Sequence, residues 1–276
     1  MSHRYSISSF LLLVGIFSVV RAQSPLTWNG ISAGVNYASA VKPTGHDVFI
    51  GFSGWTIQQE WANTWVSSLY FAKLRGMGVG HLYSVMGPKQ DDYAGRELGT
   101  RSLARSLIAL MRADTACKHV IVAAHSSGSF VAHALFQDLF GTTGIDSGGV
   151  TIEKITYFNL DGGIGNGGTA VPITQEIADR LEHVYAVYAF EPELKLYSPN
   201  KAAMVELGSM FGSKSSALEI DVTGCGCSGA WCVHQTLIVQ KPHNPKTFDL
   251  ELDYHGFNAE HPVTTSYLEV LTSAAR

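Results

Sequence analysis

Charge is scarce in this chain: only 15% of its 276 residues are Asp, Glu, Lys or Arg, and 19 basic against 23 acidic residues leave a formal charge of -4. A nucleic-acid binder draws its sequence-independent affinity from a basic surface that displaces counterions, and no such excess exists here. No nucleic-acid partner is expected. Long Pro/Gly/Ser tracts, blocks of like charge and internal repeats are also missing, which argues against disordered arms, interdomain linkers and solenoids. No apolar run reaches the roughly 18 to 20 residues that a membrane span requires, so no transmembrane segment is expected. The Asn-x-Ser/Thr sequon is absent too, since Asn63 is followed by Thr64 and Trp65; N-glycosylation is not expected.

What is present is a composition 46% hydrophobic, enough to bury a core, in a length that suggests one domain. The N-terminus reads as a separate segment. Phe10 to Val20 is apolar or small throughout, Arg4 precedes it, and Val20-Arg21-Ala22 offers a signal-peptidase site. We expect a cleaved secretory signal over residues 1–22 and a secreted domain over 23–276. In that compartment the four cysteines, Cys117, Cys225, Cys227 and Cys232, would tend to pair.

Along the rest of the chain, short Val/Ile/Tyr/Phe runs alternate with helical periodicity, the pattern of an α/β protein with a mostly parallel sheet and helices on both faces. Strands are predicted at Val48 to Phe52, His81 to Val85, Val120 to Ala124, Ile155 to Leu160, Val184 to Phe190 and Ala217 to Val222. Helices are predicted at Gln58 to Leu74, Arg101 to Arg112, Ser127 to Phe140, Thr174 to His183, Lys201 to Phe211 and Thr264 to Ala274. Pro172 precedes the fourth helix and Asn200 caps the fifth. Residues 23–46 hold no clear helix, and no strand is read in them.

The most informative segment is Val120-Ile-Val-Ala-Ala-His125-Ser126-Ser127-Gly128. A buried strand runs straight into a helix, with small residues around Ser126. A turn tight enough to project a serine Oγ above a sheet needs such neighbours, or strand, turn and helix collide. The segment resembles the nucleophile elbow of the α/β-hydrolase superfamily, G-x-S-x-G, with Ala124 in place of the first glycine. The resemblance covers nearly all of residues 23–276. It implies an α/β-hydrolase fold, Ser126 as nucleophile, and the N–H of Ser127 as one oxyanion donor. The second donor would come from Phe52-Ser53-Gly54-Trp55, with Trp55 N–H in that role. Trp231-Cys-Val-His together with Pro242-His-Asn-Pro also resembles secreted fungal-type hydrolases.

Serine is a poor nucleophile near neutral pH, so it needs a base, and the base needs an acid to fix its tautomer. The family order is Ser, acid, His. Of the late histidines His234, His243, His255 and His261, His234 follows the last strand by one short loop and is the expected base. Two carboxylates compete for the acid. Asp161 closes the fourth strand ahead of two glycines and is favoured; Glu191 closes the fifth and is the alternative. No cofactor or metal is needed. The implied function is a serine esterase or lipase-like hydrolase acting on a small-molecule or lipid ester, without a large cap domain. A silent binding protein of the same fold, or an acyltransferase or lyase using the same residues, is the alternative. No reading of oligomeric state follows.

Two further signals are set aside. Gly163-Ile-Gly165-Asn-Gly-Gly168 satisfies G-x-G-x-x-G, but Val171 and Pro172 separate it from the next helix and no strand-end acid follows about 20 residues on. Cys225, Cys227, Cys232 and His234 resemble a zinc set, yet disulfides are the more ordinary fate in a secreted chain. The expected bridges are Cys225/Cys232 across the Gly-rich loop and Cys227/Cys117.

Overall fold

The computed structural model describes residues 26–40, 45–55, 59–88, 93–141, 144–145, 148–164, 172–227 and 229–238. Strands β1 (Asn29–Ser32), β2 (Val35–Ser39), β3 (Asp47–Trp55), β4 (Val79–Gly87), β5 (His119–His125), β6 (Lys154–Leu160), β7 (His183–Glu191), β8 (Leu196–Tyr197) and β9 (Ser215–Asp221) form one nine-stranded sheet. The helices are α1 (Gln59–Ala72), α2 (Tyr93–Ala113), α3 (Gly128–Phe140), α4 (Gln175–Arg180), α5 (Lys201–Met210) and α6 (Ala230–Gln235).

The central strands lie parallel in the order β4, β3, β5, β6, β7, β9, while β1, β2 and β8 pair antiparallel at the periphery. All six predicted strands are present; the first five reach further at one or both ends, and the last starts two residues earlier and ends one residue earlier than expected. Fully buried parallel strands read as continuous apolar runs, which is why they were legible. Their side chains alternate between two cores. Val120, Val122 and Ala124 of β5 pack with α2, α3, α4 and α5 on one side; Ile121 and Ala123 pack with α1 and α6 on the other.

The hairpin β1–β2 was not expected. It closes through Ala33-Gly34, with Gly34 at φ 75°, a left-handed turn that glycine adopts freely. α2 begins eight residues before the expected Arg101, and the fourth helix ends at Arg180 because Leu181 turns extended toward β7. Thr174 Oγ1 accepts the Ile177 N–H at 3.3 Å and caps α4. Asn200 holds the N-cap position of α5 without a capping bond; its side chain is committed elsewhere. The predicted helix at Thr264 to Ala274, the signal segment 1–22, and His243, His255 and His261 lie outside the described residues.

The cysteine expectation is corrected. Cys117 belongs to the α2/α3 core, whereas Cys225, Cys227 and Cys232 belong to the α1/α6 core across the sheet, so no Cys117/Cys227 bridge is possible without moving the sheet. None of the four forms a disulfide among the described residues. Cys225 Sγ donates to Glu191 Oε2 at 3.3 Å rather than bridging Cys232. Hydrogen bonds among Cys225, Cys227 and Cys232, together with burial, push the Cys227 thiol far up.

From β3 the chain goes outward to β4, then returns across β3 to β5 and continues the other way through β6 and β7. That reversal makes the carboxyl ends of β3 and β5 a topological switch point, the place where open α/β sheets bind ligands. Ser126 and Trp55 stand at those two ends.

Candidate active site

β5 ends at His125, and Ser126 takes φ 54°, a left-handed conformation uncommon for a residue with a Cβ. The turn is held because the Ser126 N–H donates to the Leu160 carbonyl at 3.0 Å. Its tightness depends on Gly128, where a Cβ would sit 2.3 Å from the Ser53 carbonyl oxygen. A Cβ at Gly54 would likewise meet Ser126 Cβ and His125 Nδ1 at 2.9 Å. The small residues around the serine thus let α3, β3 and the turn meet.

One strand over, the same device repeats. Asp161 follows β6 at φ 48°, its N–H donates to the Val187 carbonyl at 2.7 Å, and Asn200 Nδ2 donates to its carbonyl oxygen at 2.7 Å. Gly162 and Gly163 follow because a Cβ at either would strike Asn159, Ser129 or the Phe130 ring. The start of the G-x-G-x-x-G match is therefore explained by packing against α3; residues 165–168 lie outside the described residues. Such backbone strain is retained where the surrounding structure fixes a side chain for a purpose.

His234 sits on the short helix α6, which follows β9 by one short loop. Its Nδ1 lies 2.5 Å from Asp161 Oδ2, and both side chains are fully buried. Glu191 is also buried, but it accepts hydrogen bonds from the Glu193 N–H at 3.2 Å and from Cys225. The structure brings Asp161, not Glu191, to His234. The opposite ring nitrogen, His234 Nε2, makes no hydrogen bond, so none joins it to Ser126. The link to the serine turn runs through His125. That ring packs against His234 with centroids 4.3 Å apart and planes tilted by 36°, and its Nε2 donates to the His234 carbonyl at 3.3 Å. Burial, and next the neighbouring His234, hold His125 well below the ordinary imidazole range, so it stays neutral.

His125, given no role in the sequence analysis, contacts His234 directly; its position beside the elbow serine is the only signal of it in the sequence. Ser127 begins α3 as its N-cap, and the first N–H groups of a helix carry partial positive charge suited to an anion. Trp55 ends β3, paired in register with Gly87; its side chain lies outside the description. His125 Nδ1, Ser127 Oγ, Asp161 Oδ1 and His234 Nε2 are all buried without a partner, whereas buried polar atoms are ordinarily bonded. Among the described residues no group of three or more His, Cys, Asp or Glu is arranged to hold a metal ion, and no helix is long and apolar enough to cross a membrane.

No family model matches the chain, and no curated protein sequence matches it. Solved structures do. Carboxyl esterase 2 of the mycorrhizal fungus Tuber melanosporum superposes with a TM-score of 0.56 at 9% identity, over 94% of this chain and 88% of that one. Esterase B of Lactobacillus rhamnosis gives 0.50 at 10% identity, over 92% and 87%. An alpha/beta hydrolase superfamily protein of Enterococcus faecalis gives 0.46 at 8% identity, over 91% and 98%. At these identities the likeness is one of fold. With the two esterases at 0.50 and above the chain shares a mostly parallel sheet flanked by helices, the α/β architecture that the sequence resemblance implied.

Proposed function

We propose that this protein is a secreted serine hydrolase that cleaves a carboxylic ester through an acyl-enzyme. Ser126 Oγ attacks the carbonyl, His234 takes the serine proton and returns it to the departing alcohol, and Asp161 orients the imidazole and stabilises its charged form. The N–H groups of Ser127 and Trp55 bind the oxyanion. Water then attacks the acyl-enzyme with His234 again as base, releasing the acid and restoring the serine.

The observation that carries this reading is the buried Asp161–His234 pair beside an elbow serine at positive φ. A carboxylate on Nδ1 leaves Nε2 as the proton acceptor, and Nε2 is the atom without a partner. Catalytic hydrogen bonds are often open before substrate binds, so the missing Ser126–His234 bond is compatible with this chemistry. Secretion rests on the N-terminal pattern alone, and a small-molecule or lipid ester is the substrate class that suits the chemistry. The test is hydrolysis of p-nitrophenyl butyrate by purified protein and by Ser126→Ala. Activity should fall by several orders of magnitude with the circular dichroism spectrum unchanged; equal rates would reject the assignment.

A further inference from the structure

The helix that carries His234 also carries the most exposed large apolar side chain among the described residues. Trp231 is 63% exposed, while Cys232, Val233 and His234 beside it are buried. The residues at i and i+3 share one helical face, and the indole meets the His234 imidazole edge-to-face, with centroids 5.3 Å apart and planes at 84°. An indole in solvent forgoes one of the largest burial gains any side chain has.

Which part of an ester meets it follows from the proton path. In the proposed acylation, His234 Nε2 gives its proton to the alcohol oxygen as the acyl C–O bond breaks, so that oxygen must come within about 3 Å of Nε2. The acyl carbonyl oxygen is drawn instead toward the α3 N-terminus. Of the two rings in contact with the imidazole, His125 is buried at the serine turn and Trp231 is exposed, so Trp231 is the one open to the alcohol half of the ester. The geometry points to Trp231 as a specificity-determining residue: it receives the planar, apolar alcohol portion of the substrate, so that the preferred esters are those of aromatic alcohols. This rests on the serine-hydrolase reading above.

Benzyl butyrate and methyl butyrate, which share an acyl group and differ only in the alcohol, separate the two claims when kcat/KM is measured by acid release below the solubility limit. The parent should favour the benzyl ester. Trp231→Ala should lower the benzyl-to-methyl ratio about tenfold, the upper range for losing one aromatic pair, mainly through KM, and Trp231→Phe should restore most of it. An unchanged ratio, including equal loss on both esters, would overturn the inference and assign the indole to positioning His234. So would a defect seen only with emulsified tributyrin, which would assign it to an interface. Absence of hydrolysis of both esters, with no labelling of Ser126 by a fluorophosphonate, would overturn the hydrolase reading and this inference with it; labelling without a shift in ratio would overturn the inference alone.

Discussion

His234 and Asp161, 73 residues apart in the chain, meet at 2.5 Å with neither side chain exposed to solvent. The contact is possible because β6 and β9 both run parallel in the sheet, so that the turn after one and the short helix after the other arrive at the same carboxyl edge. It sets apart two buried carboxylates at the ends of adjacent strands, since Asp161 meets His234 and Glu191 meets Cys225 and the Glu193 N–H.

Substituting those carboxylates separately should show the difference. Asp161→Asn is expected to lower kcat by about three to four orders of magnitude, since an amide favours the wrong imidazole tautomer. Glu191→Gln should stay near the parent rate, because Glu191 bonds Cys225 and the Glu193 N–H rather than the base. Steady-state rates of both variants check this, and a deep loss confined to Glu191→Gln would reverse the assignment.

Gly128→Ala should destabilise the protein. The new Cβ would meet the Ser53 carbonyl oxygen at 2.3 Å, and neither backbone can yield cheaply. Overpacking of this kind costs about 3 kcal/mol, which lowers Tm by roughly 6 to 12 °C. Gly76→Ala, with nothing within 4 Å of the added Cβ, is the control and should leave Tm nearly unchanged. Equal melting curves for the two variants would contradict the close approach of α3 to β3.

Stability should decline in mild acid partly through His119. Burial pushes its imidazole down to about 4, while it hydrogen-bonds Thr156 Oγ1 at 2.9 Å. The unfolded chain takes up a proton near the ordinary histidine value, which the folded protein refuses until about pH 4. The contribution is therefore complete above pH 6.5 and lost as pH falls from there toward 4. Urea unfolding at pH 7 and pH 4.5 should show His119→Gln losing about 2 kcal/mol less than the parent across that interval. His125, shifted the same way, continues to act in both proteins. Identical losses would show that His119 is not kept neutral.

Cys117 should remain unpaired whatever the redox state of the other three cysteines, because the sheet separates it from them. Burial also pushes its thiol up to about 12, which suppresses the thiolate needed for exchange. Non-reducing peptide mapping checks this. A Cys117/Cys227 bridge would contradict the two-core arrangement.

The parallel strands and the elbow were legible because burial on both faces writes continuous apolar runs and a tight turn demands small residues. The hairpin at Asn29 to Ser39 was not, because its strands are half-exposed and short and its only marker is Gly34. Asp161 and Glu191 looked alike because both end buried strands. Only the path of α6, a six-residue helix too short to show periodicity, decides which one meets His234. The Cys117/Cys227 pairing failed for a related reason: it was what remained once Cys225 was matched with Cys232, and the sequence does not say which face of the sheet Cys117 occupies.

The central claim is that Ser126 is an activated nucleophile. Treating the folded protein with a fluorophosphonate and locating the adduct by peptide mass spectrometry tests it without knowledge of the substrate. One phosphonyl group on Ser126, formed quickly in the parent, slowed strongly in Asp161→Asn and absent in Ser126→Ala, is the predicted result. No adduct on Ser126, or an adduct forming equally well on the unfolded chain, would contradict it.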